Sequence, residues 1–207
     1  MNLESRLQEI KGKHTFVERI RYCKEHFEVV SMGGSTGSRA VFDVGDGKVI
    51  KVAKSAKGIA QNDAEGDYGV NSMYPDTLNH LYDSDYDEGT FLVSKKLDKI
   101  SHMNVVYEHY GMDKSQFEST LSDINDYVLK QGGSDFPNVN GETHEAMADL
   151  LDLCLSTDLL AGDFLRPSSW GIDPDTKTPK IIDSGLRLSV YRDHYEKKTD
   201  NNLGFAC

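Results

Sequence analysis

Apolar residues recur along the chain in two rhythms, and the change from one to the other divides it. Over residues 3–25, Leu3, Leu7 and Ile10 share one helical face and Phe16, Ile20 and Cys23 another, the spacing of one or two amphipathic helices, with Thr15 placed to cap the second. From Phe27 the spacing becomes alternate. Phe27-Glu28-Val29-Val30, Ala40-Val41-Phe42-Asp43-Val44 and Lys48-Val49-Ile50-Lys51-Val52-Ala53 read as strands. A Gly- and Ser-rich tip from Met32 to Arg39 and the turn Gly45-Asp46-Gly47 join them into two successive hairpins. Lys57 to Met73 is helix-compatible, with Glu65 in its middle, and Leu78 to Tyr82 and Thr90 to Ser94 form a further hairpin about Asp87-Glu88-Gly89.

Beyond Leu97 the helical rhythm returns. Asp98 to Asn104 is polar and reads as a linker, while Lys114 to Lys130 carries Phe117, Leu121, Ile124 and Val128 on one stripe. Gly132-Gly133-Ser134-Asp135-Phe136-Pro137 breaks the pattern, and Glu142 to Thr157 resumes it with Ala146, Met147, Leu150, Leu151 and Cys154. Leu159 to Leu188 reads as a hairpin turning at Asp173-Pro174-Asp175-Thr176, which brings Asp163 and Asp183 toward one cleft. The expected class is α+β: helices over 1–26 packed on the outside, a β-rich unit of five strands over 27–97, and a helical unit over 98–207.

Composition narrows the function. With 38% hydrophobic and 28% charged residues, the 207-residue chain reads as globular. It carries no apolar run of membrane-spanning length and no secretory leader, so a cytoplasmic location is expected. Cys23, Cys154 and Cys207 are far apart and odd in number, which argues against a disulfide frame or a zinc site, and the seven histidines lack paired ligand spacing. A net charge of −11 argues against broad nucleic-acid contact, yet leaves room for one nucleotide in a locally basic, Mg²⁺-bridged pocket.

Lys51 is the most informative single residue. On a strand it shares a face with Val49 and Ala53, and an ammonium there needs an anionic partner. Lys54, at the strand exit, is its rival and reads as solvated. Glycines in the hairpin tip let backbone amides approach phosphate oxygens, although most such tips are only turns. Glu65 on its own reads as a solvated helix position, and Asp163 and Asp183 as turn residues. The Tyr191-Arg192-Asp193-His194-Tyr195 cluster reads as packing.

In their order these pieces resemble the protein-kinase-like fold over roughly Val29 to Leu186. Gly34-Ser35-Thr36-Gly37-Ser38 with Val41 is similar to the phosphate-covering loop, Val49-Ile50-Lys51 to the third-strand lysine motif, and Glu65 to the helix glutamate that pairs with it. Phe91 to Leu97 resembles the last strand and adenine-binding hinge, Gly162-Asp163 with Trp170-Gly171 the catalytic loop, and Ile181-Ile182-Asp183-Ser184-Gly185 the metal-binding Asp-Phe-Gly motif.

The resemblance implies a two-lobed fold, with an antiparallel five-stranded N-lobe and a small helical C-lobe, and an ATP- and Mg²⁺-dependent phosphotransferase acting on a protein or small-molecule acceptor. It implies catalytic roles for Lys51, Glu65 and Asp163, nucleotide contacts from Gly34, Ser35, Gly37, Ser38, Val49, Lys51, Lys95 and Leu97, and metal ligation by Asp183 and Ser169. The chain departs from the family pattern in several places. Ser168 or Ser169 stands where an asparagine would ligate a second Mg²⁺, Ala161-Gly162 replaces the His-Arg before the aspartate, and 22 residues follow Gly185, too few for a peptide-binding activation segment. These departures resemble compact kinase-like proteins of bacteria and phages, with a host-cytoplasmic or virion location in the latter case. They keep open a pseudokinase or structural interaction protein, such as a virion component or a modulator of a host protein. Transfer of AMP instead of phosphate is a third alternative.

Overall fold

The computed structural model describes residues 2–34, 37–130 and 145–196. The fold is mixed α+β. Helices α1 (Leu3–Lys11) and α2 (Phe16–His26) come first. The Asn2 side chain caps α1 by accepting from the Ser5 amide, and α2 opens with the capping box formed by Thr15 and Glu18. Strands β1 (Glu28–Ser31), β2 (Arg39–Gly45) and β3 (Lys48–Ala53) follow as two antiparallel hairpins. The second closes at Asp46 and Gly47, both at positive φ, as a two-residue turn between twisted strands requires.

Where one helix was expected over 57–73 there are two, α3 (Ala56–Glu65) and α4 (Tyr68–Met73). Gly66 ends α3 by donating to the Asn62 carbonyl and Asp67 immediately caps α4, so Glu65 is the last residue of α3 and not a mid-helix position. Strands β4 (Leu81–Ser84) and β5 (Phe91–Lys95) complete a five-stranded antiparallel sheet in the order β1-β2-β3-β5-β4.

The sheet has two unlike faces. On one, Ala40, Phe42, Ile50, Val52, Phe91 and Val93 pack with Leu7, Ile10 and Cys23 of α1 and α2 into a dry cluster, whose apolar burial pushes the Cys23 thiol up to about 12. Alternation sends Arg39, Val41, Val49, Lys51, Leu92 and Ser94 to the other face, since Val41 pairs with Lys51, Lys51 with Leu92 and Val49 with Ser94.

The expected linker at 98–104 is not simply a linker. Asp98–Lys99 forms β6, which pairs with β7 (Trp170–Ile172), itself paired with β8 (Pro179–Ile181) in a small antiparallel sheet. Helix α5 (Asn104–His109), which the sequence pattern did not indicate, follows. Helix α6 (Lys114–Leu129), capped by a box of Asp113 and Gln116, buries Phe117, Leu121, Ile124 and Val128 as its stripe predicts. The helix expected over 142–157 is α7 (Glu145–Thr157); the break expected at 132–137 lies outside the described residues. Around Trp170, Tyr110, Phe117 and Phe164 these elements build a second core, and the Trp170 indole N–H donates to the Phe164 carbonyl at 2.8 Å. That bond satisfies a buried donor and fixes the segment carrying Asp163. Two short 3₁₀ turns, Ala161–Leu165 and Pro167–Ser169, link α7 to β7, and α8 (Leu188–His194) ends the described chain.

Candidate functional site

The polar face of the sheet meets α3 and the end of β8, and two close approaches set that meeting. A methyl group on Gly58 would lie 2.3 Å from the Ser38 carbonyl oxygen and 3.1 Å from the Ala53 Cα, so α3 lies against β3 only because residue 58 has no side chain. At the other side of α3, a methyl on Gly185 would lie 2.8 Å from the Gln61 carbonyl oxygen. Helix α3 is thus held between β3 and the Asp183-Ser184-Gly185 turn, with Glu65 at its end.

Lys51, Glu65 and the Asp183 segment come together there. The Lys51 ammonium donates both to Glu65 Oε1 and to the Ile182 carbonyl, immediately before Asp183. Lys51 and Glu65 are both buried, 6% and 8% exposed, so each charge depends on its partners. Lys54, the rival, turns away: it donates to the Met32 carbonyl at 2.7 Å and the Gly34 carbonyl at 3.1 Å, tying down the base of the glycine-rich tip.

Arg39 is the residue that the motif reading left without a role. Its Nη1 donates to Glu65 Oε2 at 2.7 Å and to Asn62 Oδ1 at 3.3 Å, and its Nη2 to Asp183 Oδ1 at 2.5 Å. Glu65 therefore carries Lys51 on one oxygen and Arg39 on the other. Burial disfavours the guanidinium charge, but Glu65 and Asp183 outweigh it and hold Arg39 firmly protonated. The signal was present in the sequence, because Arg39 lies in phase with Val41 and Lys51 on alternating strands.

The two aspartates differ. The Asp183 side chain is 44% exposed, whereas that of Asp163 is 30% exposed. Burial and the nearby charge of Asp183 push the Asp163 carboxyl above its ordinary value, against the opposing pull of Arg166. The Ser169 hydroxyl, itself buried, donates to the Asp163 carbonyl at 2.7 Å and so braces the turn that carries the acid.

Gly34 has positive φ, Gly37 packs its backbone against Gly33, and Ser35 lies outside the described residues. Ser38 bonds through its hydroxyl to Gln61 of α3, whose amide donates to the Tyr195 hydroxyl at 3.1 Å. Tyr195, expected only to pack, also takes the Lys57 ammonium over its ring at 4.1 Å. Val49 is buried on the face of Lys51, and beside it the buried Ser94 hydroxyl has no hydrogen-bond partner among the described residues. Lys95 is engaged elsewhere, with Asp173 at 2.7 Å and Asp175 at 2.6 Å. Leu97 meets Gly171, where a methyl group would lie 2.7 Å from the Leu97 Cβ.

Among the described residues no three His, Cys, Asp or Glu side chains gather into a metal cluster. The half-exposed Asp183 could supply one carboxylate to Mg²⁺, which takes one or two and completes its shell with water and phosphate oxygens. A separate cavity of about 400 Å³ lies among Phe16, Val17, Ile20, Arg21, Lys24, Met32 and Lys54, on the outer side of the glycine-rich tip. Among the described residues no helix is long and apolar enough to cross a membrane.

No protein-family model, curated protein or solved structure matches the chain. Its chemistry therefore rests on these side chains.

Proposed function

We propose that the chain is a compact kinase-like phosphotransferase that uses ATP and Mg²⁺, with residues 27–97 as the nucleotide-binding lobe, 98–207 as the lobe carrying the acids, and 1–26 packed on the first. The observation that carries this reading is the Lys51 ammonium held between the Glu65 carboxylate and the Ile182 carbonyl, beside Asp183. A buried lysine fixed by a helix-end glutamate next to a half-exposed acid is a means of presenting positive charge to an anion.

In this reading Lys51 binds the α- and β-phosphates, and Glu65 keeps its ammonium in place. The glycine-rich tip covers the phosphates with backbone amides. Asp183 and the Ser169 oxygen would hold Mg²⁺, which when bound neutralises phosphate charge as the phosphoryl group departs. Asp163 orients the acceptor hydroxyl and takes its proton, a role that suits a carboxyl whose proton affinity is raised by burial and by Asp183. The acceptor is a protein or a small molecule.

One observation favours a second reading, a pseudokinase or interaction protein. Arg39 already sits on Asp183 Oδ1, as a cation would in a fold kept for binding alone. Incubation with ATP labelled at either the γ or the α phosphate separates the readings. The phosphotransferase reading predicts γ-label transfer that is lost in Asp163→Asn. Transfer of α-label alone would assign adenylyl transfer, and label from neither position with nucleotide still bound would leave the pseudokinase.

A further inference from the structure

Helix α2 buries Arg19 and Cys23 and turns a second stripe over the cavity of about 400 Å³ beside the glycine-rich tip. Phe16, Val17 and Ile20 form the first half of that stripe, and Arg21 and Lys24 the second, at the spacing of a single helical face. Met32 and Lys54 complete the lining. Ile20 and Met32 also pack against the dry cluster beneath the sheet, so the apolar lining is continuous with the core, while Val17 stands 67% exposed. The cavity is thus apolar at one end of the stripe and cationic at the other.

The cations are unusual for this chain, in which 34 acidic residues outnumber 23 lysines and arginines. No acidic residue lines the cavity, and among the described residues Arg21, Lys24 and Lys54 make no ion pair. Glu18, on the same helix, is committed to the Thr15 cap. Lys54 spends two of its three donors on the Met32 and Gly34 carbonyls, which leaves one for an anion. Size and charge narrow the occupant. The volume is that of a small-molecule site, and seven lining residues are far fewer than the roughly 20–30 a side of a standard protein interface. A net charge of −11 opposes approach to an anionic membrane surface.

We propose that this cavity binds a free single-chain carboxylate, its hydrocarbon tail against Phe16, Val17, Ile20 and Met32 and its head group among Arg21, Lys24 and Lys54. From residue 16 to residue 24 the helix rises roughly 12 Å, the length of an extended chain of about ten carbons. The site stands apart from Lys51, Glu65 and Asp183 and does not depend on the nucleotide reading.

Titration of monomeric decanoate into the full chain tests this, followed by calorimetry and by the methionine methyl resonances. The wild type is expected to bind with a Kd below about 1 mM, shifting the methyl of Met32 and leaving those of Met103 and Met147, in the second core, in place. Hexanoate should bind at least about tenfold more weakly, because each methylene laid against the apolar wall contributes about two- to fourfold. Decyltrimethylammonium, with the same tail and the opposite charge, should also be at least about tenfold weaker. Val17→Asp and the double variant Arg21→Gln/Lys24→Gln, all at exposed positions, should keep the wild-type melting temperature and lose about tenfold or more in decanoate affinity. Equal binding of the cationic and anionic amphiphiles, or an unmoved Met32 methyl, would overturn the proposal on the wild type alone. Co-sedimentation with phosphatidylglycerol vesicles that Val17→Asp abolishes, while decanoate leaves the protein unaffected, would overturn it in favour of a membrane contact.

Discussion

Two groups of charges join the five-stranded sheet to the rest of the molecule, and they are built on opposite plans. At the turn between β7 and β8, Lys95 is shared by Asp173 and Asp175, and Asp173 also accepts the Asp175 and Thr176 amides. Burial works against the Asp173 carboxylate, but Lys95 and those amides more than offset it and hold its proton affinity low. That group is self-satisfied, and its job is to hold a turn. Around Glu65, by contrast, two buried cations converge on one carboxylate, while Asp163 beside Asp183 is pushed toward its protonated form. Structural ion pairs settle the charge of every member; a cluster that leaves an acid half-open and another proton-hungry has charge to give to a ligand.

Replacing members of each group is the direct way to break or sharpen that contrast. Glu65→Ala should have the largest effect, about 3–5 kcal/mol of unfolding free energy, because it strands Lys51 and Arg39 together in a buried place; chemical denaturation measures it. A cost under about 1 kcal/mol would mean that water already solvates both cations.

Asp173→Ala comes next, at about 1–3 kcal/mol, since it leaves turn amides unpaired and frees Lys95, while nucleotide affinity should stay unchanged. Loss of affinity there would merge the two groups into one.

Asp163→Asn should raise stability at neutral pH, by about 1 kcal/mol or less. The sign follows from its raised proton affinity. The folded chain holds this proton more tightly than the unfolded chain does, so the ionised acid costs stability above its folded pKa. Below the ordinary value of 3.8 both states are protonated and the cost is gone. Melting curves of the variant and the wild type should therefore converge as the pH falls toward that value, and a gap that widens on acidification would reverse the assignment. The smallest effect belongs to Asp175→Ala, whose side chain is 79% exposed in its pair with Lys95, at about 0.5 kcal/mol or less and diminishing with salt.

Much of this arrangement was legible in the sequence wherever the physics is local. Period-two alternation put Lys51 on the face of Val49, the Asp46-Gly47 turn matched β2 to β3, Thr15 marked the start of α2, and the Phe117 stripe marked α6. The failures are of contacts made at long range. Asp98 and Lys99 carry no alternation, and form a strand only because Gly171 lets β7 come close to the chain at Leu97 and Asp98. The helix-compatible pattern over 57–73 puts Glu65 in mid-helix, whereas Gly66 ends α3 and the Asp67 cap that follows starts α4. Arg39, which the pattern leaves at the end of the glycine-rich tip, opens β2 and was illegible as a partner of Asp183, which is distant in sequence and brought near only by the packing of α3. Tyr195 joined the site through Gln61 for the same reason.

The claim on which the rest depends is that Lys51, held by Glu65 next to Asp183, receives a nucleoside triphosphate. The most direct test is the melting temperature of the wild type and Lys51→Ala, each with and without millimolar Mg²⁺-ATP and each compared with its own ligand-free value. Mass action predicts a rise of about 2–5 °C in the wild type and none in Lys51→Ala. An unchanged wild type, or an equal rise in both proteins, would contradict it.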